Sequence, residues 1–457
     1  MKFRKRFFKH VIFFFLLVFT IRISDAQRKT NPSNALQHYL HNGDTTFHWF
    51  IKDSFALKGI KGYDILLVSQ QWRQFTWKHQ LTILCPEKNK YDDALVFITS
   101  GHNDTATLKP HWRDHDGFLM KQMTQIASEN KAIVSIIHQI SNEPLYGGLK
   151  EDRLISYTLH QYQEDTADYT WPLLFPMVKG VVKAMDVVQD FSKNKLHHPV
   201  KKFVLSGASK RGWTTWLTGA NDDRVTGIVP MAIDVLNMPV NLAHQMKAYG
   251  GFSIAIHDYV RLGIVQGLSS PSGKALVKMI DPFSYRKKLA MPKMVCVGTN
   301  DPYWVIDNMK NYLPGIPGKN LIYYLPNDKH LIEDDSASYN NLSAFLGITL
   351  AHGKYPQCSW VIKEHKKEVS VSIKATKNIL KGAKVWYAHS KDMDFRNNKF
   401  HSKDLHISHQ SGFKATEEFP QSGYRVFYVA LTYENPRGGE YVVCTRAFMM
   451  DKKHVFK

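Results

Sequence analysis

A serine in a short, glycine-flanked turn is the residue of this sequence best placed to do chemistry. Residues 203–213 read FVLSGASKRGW, in which an apolar strand ends at Gly207, a serine follows two residues later and a helix comes next. Such a strand–turn–helix exposes the serine hydroxyl above a sheet, and the helix N-terminus favours developing negative charge. The usual pattern, Gly-x-Ser-x-Gly, would have its second glycine at position 211, but Arg211 stands there and the glycine follows at Gly212. The spacing predicts Ser209 as a nucleophile, with an ordinary tight turn as the alternative.

An acid and a histidine follow the serine along the chain, each directly after an apolar strand run. Asp301 comes after one such run and His330 after the next. A serine hydrolase needs its partners in this order, because a histidine takes the hydroxyl proton and an acid orients the imidazole. We therefore predict Ser209 as nucleophile, His330 as general base and Asp301 as orienting acid.

These assignments have alternatives in the sequence. Asp234, which follows the preceding predicted strand, could supply the acid, and Asp301 could merely cap a helix that starts at Pro302. Asp307 is a weaker candidate for the acid. His330 could be a surface-loop residue, although among the 22 histidines it is the one that comes directly after the last predicted core strand.

An oxyanion would need two hydrogen-bond donors beside the serine. The backbone N–H of Lys210 is one by its position, and we expect the second from the loop after the strand at 95–99, around Gly101 and His102, where glycine lets the backbone approach a substrate. The charged side chains of Lys210 and Arg211 could face a carbonyl or an acidic substrate, or could be exposed residues of the first helical turn. No grouping of His, Asp and Glu has the spacing of metal ligands, so we predict neither a metal nor a cofactor.

The elements that must hold these residues alternate between strands and helices from about residue 63, as in an α/β domain. Predicted strands lie at 64–69, 80–84, 95–99, 132–138, 202–205, 227–231, 294–297 and 321–325. Several are continuously apolar, as parallel strands buried on both faces require. Helices are predicted over 171–191 and 210–220. The pattern predicts an α/β-hydrolase fold with a mostly parallel, doubly wound sheet over residues 27–353.

The remaining residues, 354–457, have a different pattern. Segments 368–376, 383–389, 424–433 and 440–448 alternate as strands do, without a convincing helix between them. This region is predicted to be a C-terminal all-β, sandwich-like domain. Cys358 and Cys444 both lie in it and could pair in an exported chain, but the sequence leaves their pairing open.

The net charge of +20 is unevenly distributed. Residues 1–26 contain six basic residues and one acidic residue, and residues 354–457 contain 19 basic and 10 acidic residues. The apolar run at 11–21 is shorter than the ~20 residues of a membrane helix, and Ser24-Asp25-Ala26, which follows it, resembles a signal-peptidase site. We therefore predict a cleaved signal peptide over 1–26 and a secreted or periplasmic protein. The alternative is an uncleaved N-terminal anchor. No nucleic-acid-binding motif accompanies the basic tail. We expect no nucleic-acid partner, and at most weak attraction of the tail to anionic envelope surfaces.

Residues 207–216, GASKRGWTTW, resemble the corresponding stretch of the PhoPQ-activated pathogenicity-related proteins, a family that includes autocrine proliferation repressor proteins. Residues 142–145 (NEPL) and 281–285 (DPFSY) match as well. The resemblance implies an exported protein with an α/β-hydrolase-like domain and a link to envelope stress and virulence. It also implies that the late glycine is normal for the family. A related turn in glucuronoyl esterases suggests ester cleavage on an acidic sugar.

These observations predict an exported serine hydrolase that cleaves an ester or amide bond, for example in a carbohydrate ester or a peptide. Triad chemistry serves esterases and peptidases equally, so the sequence does not separate them. The alternative is a secreted binding or signalling protein on a hydrolase scaffold whose catalysis is dispensable, with the basic tail as its recognition surface.

Overall fold

The structure is a computed structural model that describes residues 29–407 and 412–457. The predicted signal peptide over 1–26 lies outside these residues and stays a prediction. Within the described ranges, no helix combines the length and the apolar character needed to cross a lipid bilayer.

One sheet of nine strands forms the centre of the fold. Its strands are β1 (His48–Leu57), β2 (Ile60–Trp72), β3 (Phe75–Pro86), β4 (Asp93–Ile98), β5 (Val134–Ile137), β6 (Lys202–Ala208), β7 (Val225–Met231), β8 (Lys293–Gly298) and β9 (Asn320–Leu325). All eight strands predicted for this region are confirmed. The pattern misses β1, because nearly every side chain of this edge strand is exposed or half-buried and no apolar run marks it.

The strands lie in the order β1-β2-β3-β5-β4-β6-β7-β8-β9. Pairing is antiparallel among β1, β2, β3 and β5, and parallel from β5 through β9. The parallel strands send alternate side chains to opposite cores: in β6, Phe203 and Leu205 enter one and Val204 enters the other. Apolar side chains are therefore required on both faces, which explains the continuous apolar runs.

Nine α-helices are found in the described residues, some covering the two faces of the sheet. They are α1 (Ala35–Leu40), α2 (Phe118–Asn130), α3 (Glu151–Glu164), α4 (Leu174–Asn194), α5 (Lys210–Gly219), α6 (Met238–Tyr249), α7 (His257–Arg261), α8 (Pro271–Ile280) and α9 (Ser336–Leu350). Buried side chains of α4 and α5 join one core, and those of α2 and α9 join the other. The predicted helix at 171–191 is confirmed as α4, shifted three residues along the chain, and the one at 210–220 is confirmed as α5.

The connections after three parallel strands carry the residues of interest. The turn from β6 to α5 holds Ser209, the loop after β8 holds Asp301, and the loop after β9 holds His330. A doubly wound sheet of this order, with a serine turn and these two loops at the carboxyl ends of its strands, is an α/β-hydrolase fold. The predicted fold class is confirmed.

The tail forms two antiparallel sheets. One contains β10 (Cys358–Glu364), β11 (Glu368–Ala375) and β14 (Phe413–Glu418); the other contains β12 (Leu380–Ser390), β13 (His401–Asp404), β15 (Tyr424–Glu434), β16 (Glu440–Cys444) and β17 (Phe448–Met450). The single strand predicted at 440–448 is wrong: it is two strands, because Thr445 exchanges backbone and side-chain hydrogen bonds with Val429 and interrupts the pairing. Cys358 and Cys444 are free thiols. The domain boundary at 353/354 stays a prediction, and it falls between the end of α9 and the start of β10.

Candidate active site

The turn that carries Ser209 is tight and strained. Ser209 has φ 55° and ψ −123°, a conformation that a residue with a side chain seldom adopts without support from its surroundings. A Cβ on Gly207 would lie 2.8 Å from the Ile98 carbonyl oxygen, and one on Gly212 would lie 2.6 Å from Ile233 Cγ2. Both glycines are therefore needed for the close approach of α5 to the sheet. The late glycine of this sequence serves that approach.

Ser209, His330 and Asp301 form a continuous hydrogen-bonded chain. Ser209 Oγ lies 2.8 Å from His330 Nε2, and His330 Nδ1 lies 2.7 Å from Asp301 Oδ2. Asp301 also accepts the Tyr303 backbone N–H at 2.8 Å, and the Tyr303 ring stacks on the imidazole with 4.2 Å between centroids. Burial raises the pKa of Asp301, while His330 opposes that rise. These distances permit proton transfer between the serine and the histidine.

The alternative acids have other partners. Asp234 is buried beside Tyr312 and Asn308, with the Asn308 side-chain amide donating to its backbone carbonyl at 2.8 Å, and burial raises the pKa of Asp234 to about 7. Asp307 accepts His244 Nε2 and Lys310 Nζ, both at 2.6 Å. The carboxylate that is hydrogen-bonded to His330 is therefore that of Asp301.

The predicted oxyanion loop lies beside the serine, but different residues face it. The N–H of Lys210 is at the first position of α5, where helical N–H groups have no partner within the helix. Thr99 and Ser100 line the cleft next to Ser209. Gly101 packs against Gln139, and His102 is exposed with its ring on that of His111 at 4.5 Å. Gly101 and His102 are therefore not in the wall of the cleft, because the chain turns away after Ser100.

The buried side chain of Arg211 forms an ion pair with Glu151. Its two terminal nitrogens donate to the two carboxylate oxygens of Glu151 at 2.9 and 2.8 Å, and its Nε donates to the Ile140 carbonyl. Burial acts to raise the pKa of Glu151, but Arg211 outweighs it and holds this pKa well below its ordinary value. Arg211 therefore supports the turn through Glu151, and it also forms part of the wall of the cleft that contains Ser209. A contact between Arg211 and a substrate stays a prediction.

Lys210 lies closer to the reaction centre, and its charge is balanced. Its Nζ is 3.1 Å from Glu151 Oε2 and 3.3 Å from Asp152 Oδ2. Asp152 also accepts the hydroxyl hydrogens of Tyr259 and Tyr303, each at 2.9 Å. The sequence analysis assigned no role in the site to Glu151 or Asp152. The adjacent cations Lys210 and Arg211 are the signal that could have predicted them, because buried cations need carboxylates nearby.

A family model described as PhoPQ-activated pathogenicity-related protein matches residues 36–396, a span that contains the serine, the acid and the histidine. The chain belongs to the PhoPQ-activated pathogenicity-related protein family. Autocrine proliferation repressor protein A of Dictyostelium discoideum is similar, with 32% identity over 345 residues that cover 72% of this chain and 68% of that protein.

Solved esterase structures are similar to part of this chain. Acetyl xylan esterase 1 from Thermoanaerobacterium sp. JW/SL YS485 has 15% identity and a TM-score of 0.44, and the alignment covers 66% of this chain and 90% of that one. A glucuronoyl esterase from Solibacter usitatus has 13% identity and a TM-score of 0.38, with coverage of 65% and 87%. Similarity at this level does not bear on the substrate.

Two cavities meet at Ser209. One, of about 70 Å³, has an almost wholly apolar wall, whereas the other is a cleft of about 890 Å³ whose wall is about equally polar and apolar. Both include Ser209, Lys210, Asp152, Tyr303 and His330 in their walls. A substrate held across Ser209 can therefore place chemically different groups on its two sides.

The tail contacts the loop that carries the acid. The side-chain amide of Asn300, next to Asp301, donates to the carbonyls of Phe395, Arg396 and Asn398 at 3.0, 3.2 and 2.8 Å. In the loop that leads to His330, Asn327 accepts the Phe400 N–H at 2.7 Å and donates to its carbonyl at 3.0 Å. One segment of the tail is thus hydrogen-bonded to both loops.

Glu143 is a buried acid beneath the Arg211–Glu151 pair. Its Oε2 accepts Ser141 Oγ at 2.7 Å and the Glu151 N–H at 2.9 Å. Burial first, and then the charge of Glu151, raise the pKa of Glu143 to about 7, although Arg211 acts in the opposite direction. In its protonated form, Glu143 donates a hydrogen bond to the Glu151 carboxylate.

We expect Glu143→Gln to raise the free energy of unfolding by about 2 kcal/mol near pH 8 and to change it little near pH 4. Because the folded-state pKa is raised from 4.5 to about 7, wild-type stability is lost as pH rises through that window. Glutamine keeps a donor for Glu151 and an acceptor for Ser141 without the charge. Urea unfolding of both proteins at several pH values measures the difference, and a difference independent of pH would contradict the prediction.

Proposed function

We propose that this protein is an exported serine hydrolase that cleaves an ester or amide bond with Ser209 as its nucleophile. The observation that carries the proposal is the hydrogen-bonded chain from Ser209 Oγ through His330 to buried Asp301, at the junction of two cavities. In an inert scaffold, nothing would require a strained serine, an imidazole and a buried carboxylate to align in this way.

In the proposed reaction, His330 Nε2 takes the hydroxyl proton of Ser209 as Oγ attacks the carbonyl carbon of the substrate. The tetrahedral intermediate collapses, the alcohol or amine leaves with the proton from His330, and the acyl group stays on Ser209. Water then attacks the acyl carbonyl by the same route and restores the serine. Asp301 accepts the Nδ1 hydrogen bond throughout and stabilises the imidazolium.

The negative oxygen of each intermediate needs fixed donors. The Lys210 N–H at the start of α5 is one, and the loop after β4, where Thr99 and Ser100 line the cleft, is the proposed source of the second. Donors held in this way are already oriented before charge develops, so they stabilise the transition state more than the bound substrate.

The proposed export of the protein and its proposed role in envelope stress or virulence rest on observations other than the triad. Export rests on the signal peptide predicted over residues 1–26. A role in envelope stress or virulence rests on the name of the family. The basic excess of residues 354–457 would favour weak attraction to an anionic envelope surface.

A fluorophosphonate probe tests the nucleophile directly. We expect the purified mature protein to be labelled with one probe per chain, and Ser209→Ala to be unlabelled, because only an activated hydroxyl displaces fluoride from phosphorus at a useful rate. Ser206→Ala is a matched control: Ser206 Oγ is buried in β6 and donates to the Val229 carbonyl at 2.7 Å, so labelling should persist. Equal labelling of wild type and Ser209→Ala would overturn the proposal.

A second candidate is a secreted signalling or binding protein whose hydrolase scaffold is catalytically dispensable. It is supported by the name of the Dictyostelium discoideum relative, a proliferation repressor, and by the basic tail. On this view Ser209→Ala keeps the biological effect, whereas charge reversals among the tail lysines abolish it. The hydrolase proposal predicts the opposite for both.

A further inference from the structure

We propose that the small apolar cavity beside Ser209 binds the acyl side of the substrate, so that the enzyme favours esters or amides whose carbonyl carries a short, uncharged apolar group. This acyl pocket is the 70 Å³ cavity described above. The inference rests on the proposed function and adds the class of substrate.

The wall of the acyl pocket is almost wholly apolar and is formed by buried and half-buried residues. It is built mainly from aliphatic and aromatic side chains, among them Leu159, Trp213, Ile233, Val235, Ile264 and Leu268, all buried. None of the residues that form this wall is exposed. A void needs roughly 10–15 Å³ on this measure for each water-sized group, so 70 Å³ accommodates about five. A chain of about four or five carbons beyond the carbonyl fills it.

The few polar atoms in the pocket wall do not suit a charged acyl group. The hydroxyls of Tyr259 and Tyr303 donate to Asp152, and the indole N–H of Trp213 donates to the Ile280 carbonyl at 2.7 Å. Asn241 Oδ1 and Trp304 Nε1 have no hydrogen-bond partner among the described residues, but both are neutral. Lys210 also lines the pocket, but its ammonium group is already paired with Glu151 and Asp152. A carboxylate buried here would therefore lose its hydration without gaining an unpaired counter-ion.

The order of the reaction decides which side of the substrate lies in the pocket. The acyl group stays on Ser209 until water arrives, whereas the alcohol or amine must leave first and water must then enter. The cleft provides that route, because exposed residues such as Arg113, Asp114 and Phe118 form part of its wall. The small pocket of buried apolar residues suits the group that remains on Ser209, and the larger cleft, with exposed residues in its wall, suits the group that leaves.

A series of p-nitrophenyl esters from acetyl to decanoyl tests the assignment on the full mature protein. We expect kcat/KM to rise about fourfold per methylene, the value of burying one such group, up to an acyl chain of about five or six carbons, and then to fall. The p-nitrophenyl hemisuccinate should react about 100-fold more slowly than the butanoyl ester.

Two variants change the size of the acyl pocket in opposite directions. Val265→Trp, at a half-buried position in the wall, should lower kcat/KM for hexanoyl about 100-fold relative to acetyl. Leu268→Ala should move the optimum to longer chains. Val240→Trp is the matched control, because Val240 is 46% exposed on α6 and lines neither cavity. It should leave the profile unchanged.

Fluorophosphonate labelling of each variant shows whether Ser209 is still reactive, so a misfolded variant is recognised by the loss of labelling. If one resizing variant misfolds, the acyl-chain profile of the other tests the inference. A flat acyl-chain profile, or one that neither resizing variant shifts while labelling persists, would overturn the inference. The inference would also be overturned if a chain-length optimum appeared in a series of acetate esters with longer and longer alcohols, and not in the series of longer acyl groups. In each case labelling of Ser209 persists, whereas failure of the proposed function itself removes the labelling.

Discussion

Replacing Asp301 with asparagine is expected to lower kcat for ester hydrolysis by about 10⁴-fold, the loss seen for this change in the serine protease triad. The Asp301 carboxylate accepts the hydrogen bond from His330 Nδ1 at 2.7 Å, which leaves Nε2 free to take the serine proton and stabilises the imidazolium. The amide of asparagine can instead donate to Nδ1, which holds the wrong tautomer, and it carries no charge to stabilise the imidazolium. The fold should not suffer, because burial already disfavours the charged form of Asp301. We expect the free energy of unfolding of Asp301→Asn, measured in urea, to equal or exceed that of wild type.

Asp234→Asn is the matched control for this experiment. Asp234 is also buried and also follows a strand of the sheet, but its side chain contacts Tyr312 and Asn308. Its kcat should stay within a few-fold of wild type. If Asp234→Asn lost activity and Asp301→Asn kept it, the acid of the triad would be Asp234.

Glu151→Gln is expected to lower the free energy of unfolding near neutral pH by about 2–3 kcal/mol. Removing one partner of a buried ion pair costs ~3–5 kcal/mol, because the other charge stays buried. Arg211 is that charge, with 7% of its side chain exposed. The cost is reduced here because Glu151 itself is 41% exposed and because Glu143, 3.9 Å from Arg211, can ionise in its place.

The role of Glu143 makes a double variant informative. Glu143→Gln alone should stabilise the protein near pH 8, but in the Glu151→Gln background it should destabilise it, because no glutamate carboxylate then remains in the cluster to balance Arg211. Glu164→Gln, at the exposed end of the same helix, should change stability by less than about 0.5 kcal/mol. Additive effects in the double variant would contradict the proposed sharing of charge.

Much of the fold follows from patterns that are local in the sequence. Continuous apolar runs identify the parallel strands because both faces of each strand are buried, and the glycines at 207 and 212 mark the tight turn because a Cβ at either position would clash. The edge strand β1 lacks such a run and escapes prediction. The split of the predicted strand at 440–448 depends on hydrogen bonds between Thr445 and Val429, and nothing in the local sequence shows them.

The sequence by itself determined the chemistry that is available: a serine in a strand–turn–helix, then an acid and a histidine after later strands. These features are local, since each depends on residues that are neighbours along the chain. Only the tertiary structure decided which acid contacts His330, that Arg211 supports the turn through Glu151, 60 residues away, and that Asn300 binds tail carbonyls 95–98 residues away. It also decided that a small apolar pocket and a larger cleft of mixed polarity meet at Ser209. The physical reason is that hydrogen bonds and cavities form between surfaces that packing brings together, and periodicity along the chain carries no record of which distant segments will meet.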